Sequence, residues 1–359
     1  MDFKGVIVHE LPPCEVNQRN SEGAFITLRD GRLFFAYSRY RGGGFRDESR
    51  ADIAAIVSAD GGETWSEPRI LVTAESHDAL NVMSVSMLRM QNGDVGLFYL
   101  VKHGFHDTRL VLCRSADEGD TWSAPLYCIE RDGFNVVNND RVVRTASGRL
   151  IVPSAHHGIK TQPPEPAGFP IAVDYFYGSD DDGESWFESP VAVALNSPHT
   201  KAGLQEPGVV ELHPGLLWAW ARTDMGRQYE CFSRDDGLTW DTPVPSRFTS
   251  PCSPLSMKRV PGTDRLLAVW NPIAPYPTNN LDIPHGDRKR FVCAVGYDNG
   301  ARWSDPVILE DDDWSGYCYT AIHFLEDHVL LAYCAGDDRN FSVLSNLRIR
   351  KIPLRELPL

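Results

Sequence analysis

A short turn motif returns five times along this sequence. Its first copy runs from Ser58 to Trp65, and the shared pattern is Ser-x-Asp-x-Gly-x-Thr-Trp with small variations. In a hairpin turn, such an Asp can accept hydrogen bonds from backbone amides ahead of it, the Gly takes a positive φ, and the Trp packs back against the sheet. Because five copies cannot all face one active site, we predict that these turn boxes are structural. They occupy residues 58–65, 115–122, 179–186, 233–240 and the degenerate 296–303, with intervals of 54 to 64 residues.

A second pattern, a turn followed by a buried strand, counts the repeat units independently. Each copy places Gly or Asp before an apolar run rich in branched and aromatic residues, which is typical of a core strand. Six copies predict an all-β fold, a six-bladed β-propeller of four-stranded antiparallel blades, with residues 1–359 in a single domain. The six copies occupy residues 30–37, 92–99, 147–153, 214–220, 263–270 and 326–333.

The two ends of the chain are expected to meet. Residues 341–352 alternate loosely between apolar and polar side chains, as an outer strand does, and the strand around Val6 and Val8 is predicted to pair near it. Such pairing closes the ring and removes exposed sheet edges.

Composition limits the classes of partner. The formal net charge of −14 disfavours nucleic acid and acidic membrane surfaces, and no apolar run approaches the roughly 18 residues that a membrane span needs. The first ten residues lack the charged and apolar regions of a secretory signal, which favours a cytoplasmic location. The eight cysteines form no Cys-x-x-Cys pair and are predicted to be reduced and structural.

Turn boxes of this form in a six-unit ring resemble those of the sialidase (neuraminidase) superfamily, and the resemblance covers nearly the whole chain. It implies a pocket residue in each of several units. Asp47 matches an acid/base aspartate, Glu206 and Arg222 match a glutamate and a carboxylate-binding arginine, Arg288 matches a second arginine, and Tyr319 matches the tyrosine of the last unit.

These residue types form a consistent chemical set. A buried glutamate can take the phenolic proton of a tyrosine, whose ordinary pKa is about 10, and so make it nucleophilic. The resemblance therefore implies that Glu206 activates Tyr319 while Asp47 protonates the leaving group. A neutral nucleophile suits a substrate that carries its own carboxylate, which arginines bind through bidentate hydrogen bonds.

The sequence departs from the family pattern at one place. Sialidases bring a third arginine from the first strand. Here the corresponding stretch, residues 21–26, contains no arginine, and Glu22 lies near the expected position. Arg39, Arg46 or Arg141 could take the place of that third arginine. A substrate other than ordinary sialic acid is consistent with this departure.

Further polar groups stand at strand ends and are either pocket residues or hydrogen-bonded loop groups. We favour a substrate-binding role for the polar cluster that enters the third unit, because burying it without a partner would be costly. The His residues show no metal-ligand spacing, so no metal and no cofactor are predicted. The candidates are His103, Asn139, Asp140, Arg141 and His157.

The predicted function is that of an exo-acting, retaining glycoside hydrolase that removes a terminal acidic sugar. Its partner is a small glycan or glycoside. Two alternatives stay open: a divergent propeller glycosidase acting on another sugar, and a carbohydrate-binding propeller without catalysis. Nothing in the sequence predicts the oligomeric state.

Overall fold

The computed structural model describes residues 5–159, 171–273, 288–337, 339 and 341–358. These residues form 26 β-strands and two short 3₁₀ helices, Ala74–His77 and Leu354–Glu356. Among them, no helix has the length and apolar character of a membrane span. The predicted all-β class is confirmed.

The first fourteen strands cover the chain up to residue 188. They are Val6–Leu11 (β1), Arg19–Thr27 (β2), Leu33–Tyr40 (β3), Ala51–Ser58 (β4), Arg69–Val72 (β5), Asn81–Arg89 (β6), Val95–Gly104 (β7), Asp107–Ser115 (β8), Leu126–Tyr127 (β9), Gly133–Val136 (β10), Val143–Arg144 (β11), Leu150–His156 (β12), Val173–Ser179 (β13) and Phe187–Glu188 (β14).

The remaining twelve strands complete the fold. They are Gln205–His213 (β15), Leu216–Arg222 (β16), Arg227–Ser233 (β17), Val244–Thr249 (β18), Ser256–Arg259 (β19), Leu266–Trp270 (β20), Phe291–Tyr297 (β21), Arg302–Trp303 (β22), Val307–Glu310 (β23), Ser315–Phe324 (β24), His328–Asp337 (β25) and Leu347–Pro353 (β26).

The strands pair into antiparallel meanders. Three sheets have four strands, in the orders β2-β3-β4-β5, β15-β16-β17-β18 and β1-β26-β25-β24. A fourth sheet runs β19-β20-β21-β22 with β23 also paired to β21. The fifth has nine strands and contains two meanders, one from β6 to β9 and one from β10 to β14.

The prediction of six separate four-stranded blades differs from this sheet count. In the described residues the sheets number five, because β10 pairs in parallel with β8 through Gly133 and Phe134 opposite Asp107 and Thr108. This short parallel contact joins two meanders into one sheet. The propeller architecture of antiparallel meanders is nevertheless present, with β2 contacting both β6 and β24, and β19 contacting both β15 and β24.

The six apolar strands predicted from the second pattern are confirmed. They correspond to β3, β7, β12, β16, β20 and β25, and the side chains of each are largely buried. Each lies second in its meander, so both of its edges are hydrogen-bonded and both faces contact neighbouring sheets. The apolar runs therefore form the core between the sheets.

The turn boxes have the predicted structural role. In the first box, Asp60 Oδ1 accepts a hydrogen bond from the Thr64 amide at 2.9 Å, Ser58 Oγ accepts one from the Gly62 amide at 2.8 Å, and Trp65 Nε1 donates to the Gly62 carbonyl at 3.2 Å. The same contacts recur in the boxes at 179–186 and 233–240. These three boxes thus close their turns with their own side chains.

The predicted pairing of the chain ends is also confirmed. Strand β1 pairs antiparallel with β26, with Val6 opposite Lys351 and Leu11 opposite Leu347. The N-terminal strand thereby becomes the outer strand of the last sheet.

Four strands at the centre carry the same backbone irregularity. The pairing register of β2, β6, β15 and β24 shifts by a bulge, and one residue within each bulge has a φ between 49° and 60°. Such a conformation is unfavourable for any residue other than glycine and is concentrated at functional sites. The four residues are Glu22, Ser84, Glu206 and Tyr319.

Removing one box tryptophan is expected to destabilise the fold strongly. The Trp240 ring is buried and stacks on Phe176, with ring centroids 3.9 Å apart. Trp240→Ala should therefore lower the free energy of unfolding by about 3–5 kcal/mol, measured by denaturant titration. The control is Trp314→Ala, since that side chain is 63 % exposed and its loss should change stability by less than about 0.5 kcal/mol. Equal effects of the two substitutions would contradict the assigned packing role.

Candidate active site

A single cavity collects most of the predicted pocket residues. It has a volume of about 430 Å³, and the bulge residues of β2, β6, β15 and β24 all line it. The backbone irregularity at these four positions therefore turns four side chains toward one space. The charged residues that line the cavity are Glu22, Asp47, Glu48, Lys102, Glu206, Arg222 and Arg288.

Tyr319 and Glu206 form a buried pair at this cavity. Tyr319 Oη donates a hydrogen bond to Glu206 Oε1 at 3.0 Å, and the other carboxylate oxygen forms an ion pair with Arg222 Nη1 at 2.9 Å. Gln205, the residue before Glu206, lies opposite Arg222 in the β15–β16 register, which explains why the arginine reaches this carboxylate. The Tyr319 phenol, the Glu206 carboxylate and the Arg222 guanidinium thus form a continuous chain of polar contacts.

The electrostatics of this pair fix its resting protonation. Burial raises the pKa of Glu206, but Arg222 and Arg288 outweigh this effect and hold the pKa below its usual value. Burial and the Glu206 charge raise the pKa of Tyr319 well above its usual value. At neutral pH the pair is therefore a neutral phenol and a carboxylate.

Two arginines face the cavity with sulfur atoms behind them. Arg288 Nη1 lies 3.0 Å from Cys318 Sγ, and Arg222 Nε lies 3.1 Å from Cys252 Sγ. The guanidinium of Arg288 also lies 5.2 Å from the centre of the Tyr319 ring. Burial raises the pKa of the Cys318 thiol, but its hydrogen bond with Cys334 and the charge of Arg288 outweigh this effect and lower the pKa.

Arg288 is a buried cation with few hydrogen-bond partners in the described residues. It is 7 % exposed, its Nε has no hydrogen-bond partner, and no carboxylate in the described part of the chain forms an ion pair with it. Because an unpaired buried charge is costly, this arrangement favours an anionic ligand at Arg288.

Asp47 is held at the cavity by an arginine that the sequence did not reveal. Arg19 Nη1 donates to Asp47 Oδ1 at 2.6 Å, and Arg19 Nη2 donates to Glu22 Oε2 at 2.7 Å. Arg19 is 1 % exposed, whereas the Asp47 side chain is 56 % exposed, so the arginine lies behind the two acids and only the acids face the cavity.

The pKa values of the two acids move in opposite directions. Desolvation raises the pKa of Asp47, but the nearby cations Arg19 and Lys102 outweigh this effect and lower the net pKa. For Glu22, burial raises the pKa although Arg19 opposes the shift. Asp47 is thus the more readily ionised of the two acids.

Lys102 and Asn81 hold the backbone of the Asp47 segment. Lys102 Nζ donates to the Asp47 carbonyl at 3.0 Å, and Asn81 Nδ2 donates to the same carbonyl at 2.7 Å. Burial lowers the pKa of Lys102, although Asp47 opposes the shift. No signal in the sequence points to Lys102, since it lies inside an apolar strand and belongs to neither recurring motif.

The remaining wall of the cavity is apolar. The Lys102 ammonium lies 4.4 Å from the centre of the Phe105 ring, and the Phe134 and His157 rings lie 5.4 Å apart. A cavity with one charged wall and one apolar wall suits a ligand with both polar and apolar faces. The apolar lining residues are Met83, Leu100, Phe105, Phe134, Val136 and Leu344.

The predicted site residues fall into two groups. Those that line the cavity are Glu22, Asp47, His157, Glu206, Arg222, Arg288 and Tyr319, whereas His103, Asn139, Asp140 and Arg141 are not among its lining residues.

Asn139 and Asp140 make contacts that hold strands together. Asn139 Nδ2 donates to the carbonyls of Gly23 at 2.8 Å and Tyr319 at 3.2 Å. Asp140 pairs with Lys258 at 2.6 Å and accepts from the Ile322 amide at 2.9 Å. These residues support the bulges of β2 and β24 from outside the cavity. Their neighbour Asn138 does line the cavity.

Arg141 and His103 point to other parts of the protein. Arg141 Nη2 donates to the Leu255 carbonyl at 2.7 Å, and burial lowers its pKa to about 10. His103 contacts the His77 carbonyl and Asp107, both at 3.2 Å. Of the arginines considered as substitutes for the third family arginine, Arg39 and Arg46 are likewise not among the lining residues. Arg19 comes nearest to that role, but both acids shield it from the cavity.

Comparison with known proteins agrees with the repeat pattern and with the fold. Residues 31–331 match the BNR repeat-like domain. The chain belongs to this family. The resemblance of this BNR repeat-like chain to the sialidase superfamily is thereby confirmed, and all five turn boxes lie within the matched residues.

Individual relatives of this BNR repeat-like chain include sialidases. A sialidase of Bacteroides fragilis (strain YCH46) is 24 % identical over 338 residues, which are 85 % of this chain and 58 % of that protein. The Hadza microbial sialidase Hz136 superposes with a TM-score of 0.73 at 20 % identity, covering 94 % of this chain and 66 % of the other. The intramolecular trans-sialidase of Ruminococcus gnavus gives 0.71 at 16 % identity, covering 99 % and 98 %. The chain thus spans about three fifths to two thirds of the first two relatives.

Proposed function

We propose that this chain is an exo-acting glycoside hydrolase that removes a terminal acidic sugar with retention of configuration. The observation that carries the proposal is the Tyr319–Glu206 hydrogen bond of 3.0 Å at the cavity. The family membership and the sialidases among its relatives support the reaction class.

The proposed first step forms a bond between Tyr319 Oη and the anomeric carbon. The phenolic proton passes to Glu206 as the bond to the leaving oxygen breaks, and that oxygen takes a proton from Asp47. Water then attacks the same carbon, giving one proton to Asp47, and Glu206 returns its proton to Tyr319. Two displacements at one carbon give net retention.

The charges of the cavity support an acidic sugar. Arg222 is already paired with Glu206, whereas Arg288 has no ion pair in the described residues, so a ligand carboxylate would supply the missing charge. A carboxylate on the substrate also favours a neutral tyrosine over a carboxylate as the nucleophile, because two negative charges would repel each other.

We also propose that the fold is a propeller of six blades. The nine-stranded sheet contains two antiparallel meanders, and only the contact between β8 and β10 joins them. Dividing the sheet at that contact gives six units, each with one of the six apolar strands predicted from the sequence.

The decisive test is turnover of a fluorogenic sialoside beside a panel of uronic, ulosonic and neutral glycosides. Turnover of an acidic glycoside is expected, with the released sugar first appearing in the anomeric configuration of the substrate by NMR. Turnover of neutral glycosides alone would favour a divergent glycosidase, an alternative that the acid at position 22 supports. Binding without turnover across the panel would instead identify a carbohydrate-binding propeller.

Removal of the Arg288 charge is expected to weaken binding of the acidic substrate. Arg288→Met should raise KM for an acidic glycoside by about 10-fold to 100-fold, because the substrate carboxylate loses a charge-assisted hydrogen bond. Steady-state kinetics with an acidic glycoside and its carboxylate methyl ester provides the measurement. The ester, which lacks the charge, should be affected by less than about threefold. An equal loss for both compounds would argue against a carboxylate at Arg288.

A further inference from the structure

One corner of the cavity differs chemically from the arginine side. It is formed by Glu22, Ser84 and Asp47, and the nearest cation, Arg19, lies behind the acids with 1 % exposure. Lys102 also lines the cavity, but its ammonium donates to the Asp47 backbone carbonyl. A ligand group in this corner therefore meets carboxylate and hydroxyl oxygens rather than an arginine.

The polar atoms of this corner are acceptors. Glu22 Oε2 accepts from Arg19 at 2.7 Å and from Ser21 Oγ at 3.0 Å, while Glu22 Oε1 accepts only from Ser84 Oγ at 3.1 Å. A carboxylate oxygen has room for a second donor. The Ser84 hydroxyl donates its proton to Glu22, and its oxygen can still accept a hydrogen bond from a ligand. Four of the five N–H donors of Arg19 are already used by Ser21, Glu22, Asp47 and the Phe45 carbonyl.

The fold gives Glu22 and Ser84 the same backbone setting as the proposed catalytic pair. All four residues occupy bulges with positive φ in the central strands and line one cavity. Asn139 Nδ2 contacts both the Gly23 and Tyr319 carbonyls, so the bulges that hold Glu22 and Tyr319 are neighbours. The strained conformation at Glu22 serves to present its carboxylate beside the reacting centre.

We propose that Glu22 and Ser84 form an acceptor subsite that selects a sugar with a hydroxyl or N–H donor next to the group held by Arg288. This inference rests on the proposed function for the identity of the ligand as a sugar. It makes Glu22 a specificity-determining residue, and it predicts that a carboxylate is bound by arginine on one side only. A second anionic oxygen directed at Glu22 is disfavoured by repulsion.

A pair of probes separates donor from acceptor at this corner. Sialic acid and its carboxamide have the same ring, but the amide carries an N–H donor in place of a charged oxygen. Calorimetric titration of the full chain gives the ratio of the two dissociation constants. In Glu22→Gln, which can also donate, this ratio should shift in favour of the acid by about tenfold or more relative to the wild type.

A matched variant controls for charge alone. Glu48→Gln removes the same charge from an exposed acid on the rim of the cavity, and it should shift the ratio by less than about threefold. If Glu22→Gln shifts the ratio no more than Glu48→Gln does, the proposal is overturned. If thermal unfolding shows that Glu22→Gln is not folded, Ser84→Ala takes its place and should weaken amide binding more than acid binding.

The result is independent of turnover. Loss of all glycoside hydrolysis in the wild type would refute the proposed function, while the ratio of dissociation constants would still report on Glu22. Failure of both probes to bind to the wild type would overturn the subsite for sugar acids, even if another glycoside is hydrolysed.

Discussion

Tyr319→Phe is expected to lower kcat for the substrate of this chain by at least about 10³-fold, because it removes the proposed nucleophile. The substitution deletes one oxygen atom whose hydrogen-bond partner is Glu206. The ring remains and still fills its place beside Arg288. Hydrolysis of the glycoside identified in the panel measures the loss, and circular dichroism with thermal unfolding checks that the fold is retained.

Tyr317→Phe is the matched control in the same strand. Tyr317 is also buried, but its ring packs in the core against Phe291, with centroids 5.9 Å apart, and does not line the cavity. The kcat of Tyr317→Phe should stay within about threefold of the wild-type value. If Tyr319→Phe keeps full activity, or if Tyr317→Phe loses as much as Tyr319→Phe does, then the assignment of Tyr319 as nucleophile is wrong.

Repetition made the strands and turns of this fold predictable. In the boxes at 58–65, 179–186 and 233–240, the Ser, Asp, Gly and Trp satisfy one another within eight residues, as the contacts of Asp60 show. The apolar strands are likewise local signals. Joining β8 to β10 in parallel depends on how two meanders approach each other, and the sequence of neither strand encodes that contact.

Most predicted residues of the cavity stand where the family resemblance supplied a position, whereas His157 was predicted from its place at a strand end. Tyr319, Glu206, Arg222 and Arg288 stand at places that the resemblance implies, and the structure brings them together. Arg19 lies three residues before Glu22, in a stretch without a motif, so its pairing with Asp47 across 28 residues could not be seen.

The polar cluster of the third unit shows why polar character alone does not locate a pocket residue. Asn139 and Asp140 have the polar character of pocket residues, but their partners are Gly23, Lys258 and backbone atoms of β24. The cost of burying a polar residue in a central strand can be offset by hydrogen bonds to a neighbouring strand or by contacts with a ligand. Distinguishing these two roles requires knowing which residues lie nearby in the folded structure.

Asp47→Asn should produce a loss that depends on the leaving group. For a glycoside with an alkyl aglycone, which leaves poorly without a proton, the rate should fall by about 10²-fold to 10⁴-fold. For an aryl glycoside, whose phenolate leaves more easily, the loss should be smaller by about tenfold or more. Asn retains an oxygen that can accept from Arg19, so the 2.6 Å contact of Asp47 has a substitute and positioning is preserved.

The same role fixes the direction of the pH dependence. Asp47 must be protonated to act as an acid, yet Arg19 and Lys102 hold its pKa below the usual value, so the active fraction falls as pH rises. Glu206 must be ionised, and its lowered pKa allows this in mildly acidic solution. The rate with the alkyl glycoside should therefore peak on the acidic side of neutrality and decline about tenfold per pH unit above the peak.

The Asp47→Asn variant and the pH profile test the assignment of Asp47 as the proton donor in two separate ways. In Asp47→Asn, the decline at high pH should disappear, while the rates for the alkyl and aryl glycosides should move further apart, because both effects follow from loss of one proton donor. Glu75→Gln removes a carboxylate from an ion pair with Arg41 and Arg50 outside the cavity and should leave the alkaline decline and the ratio of the two rates as in the wild type. If the alkaline decline persists in Asp47→Asn, then another group supplies the proton. Glu22 would be the first to examine, since burial raises its pKa and it shares Arg19 with Asp47.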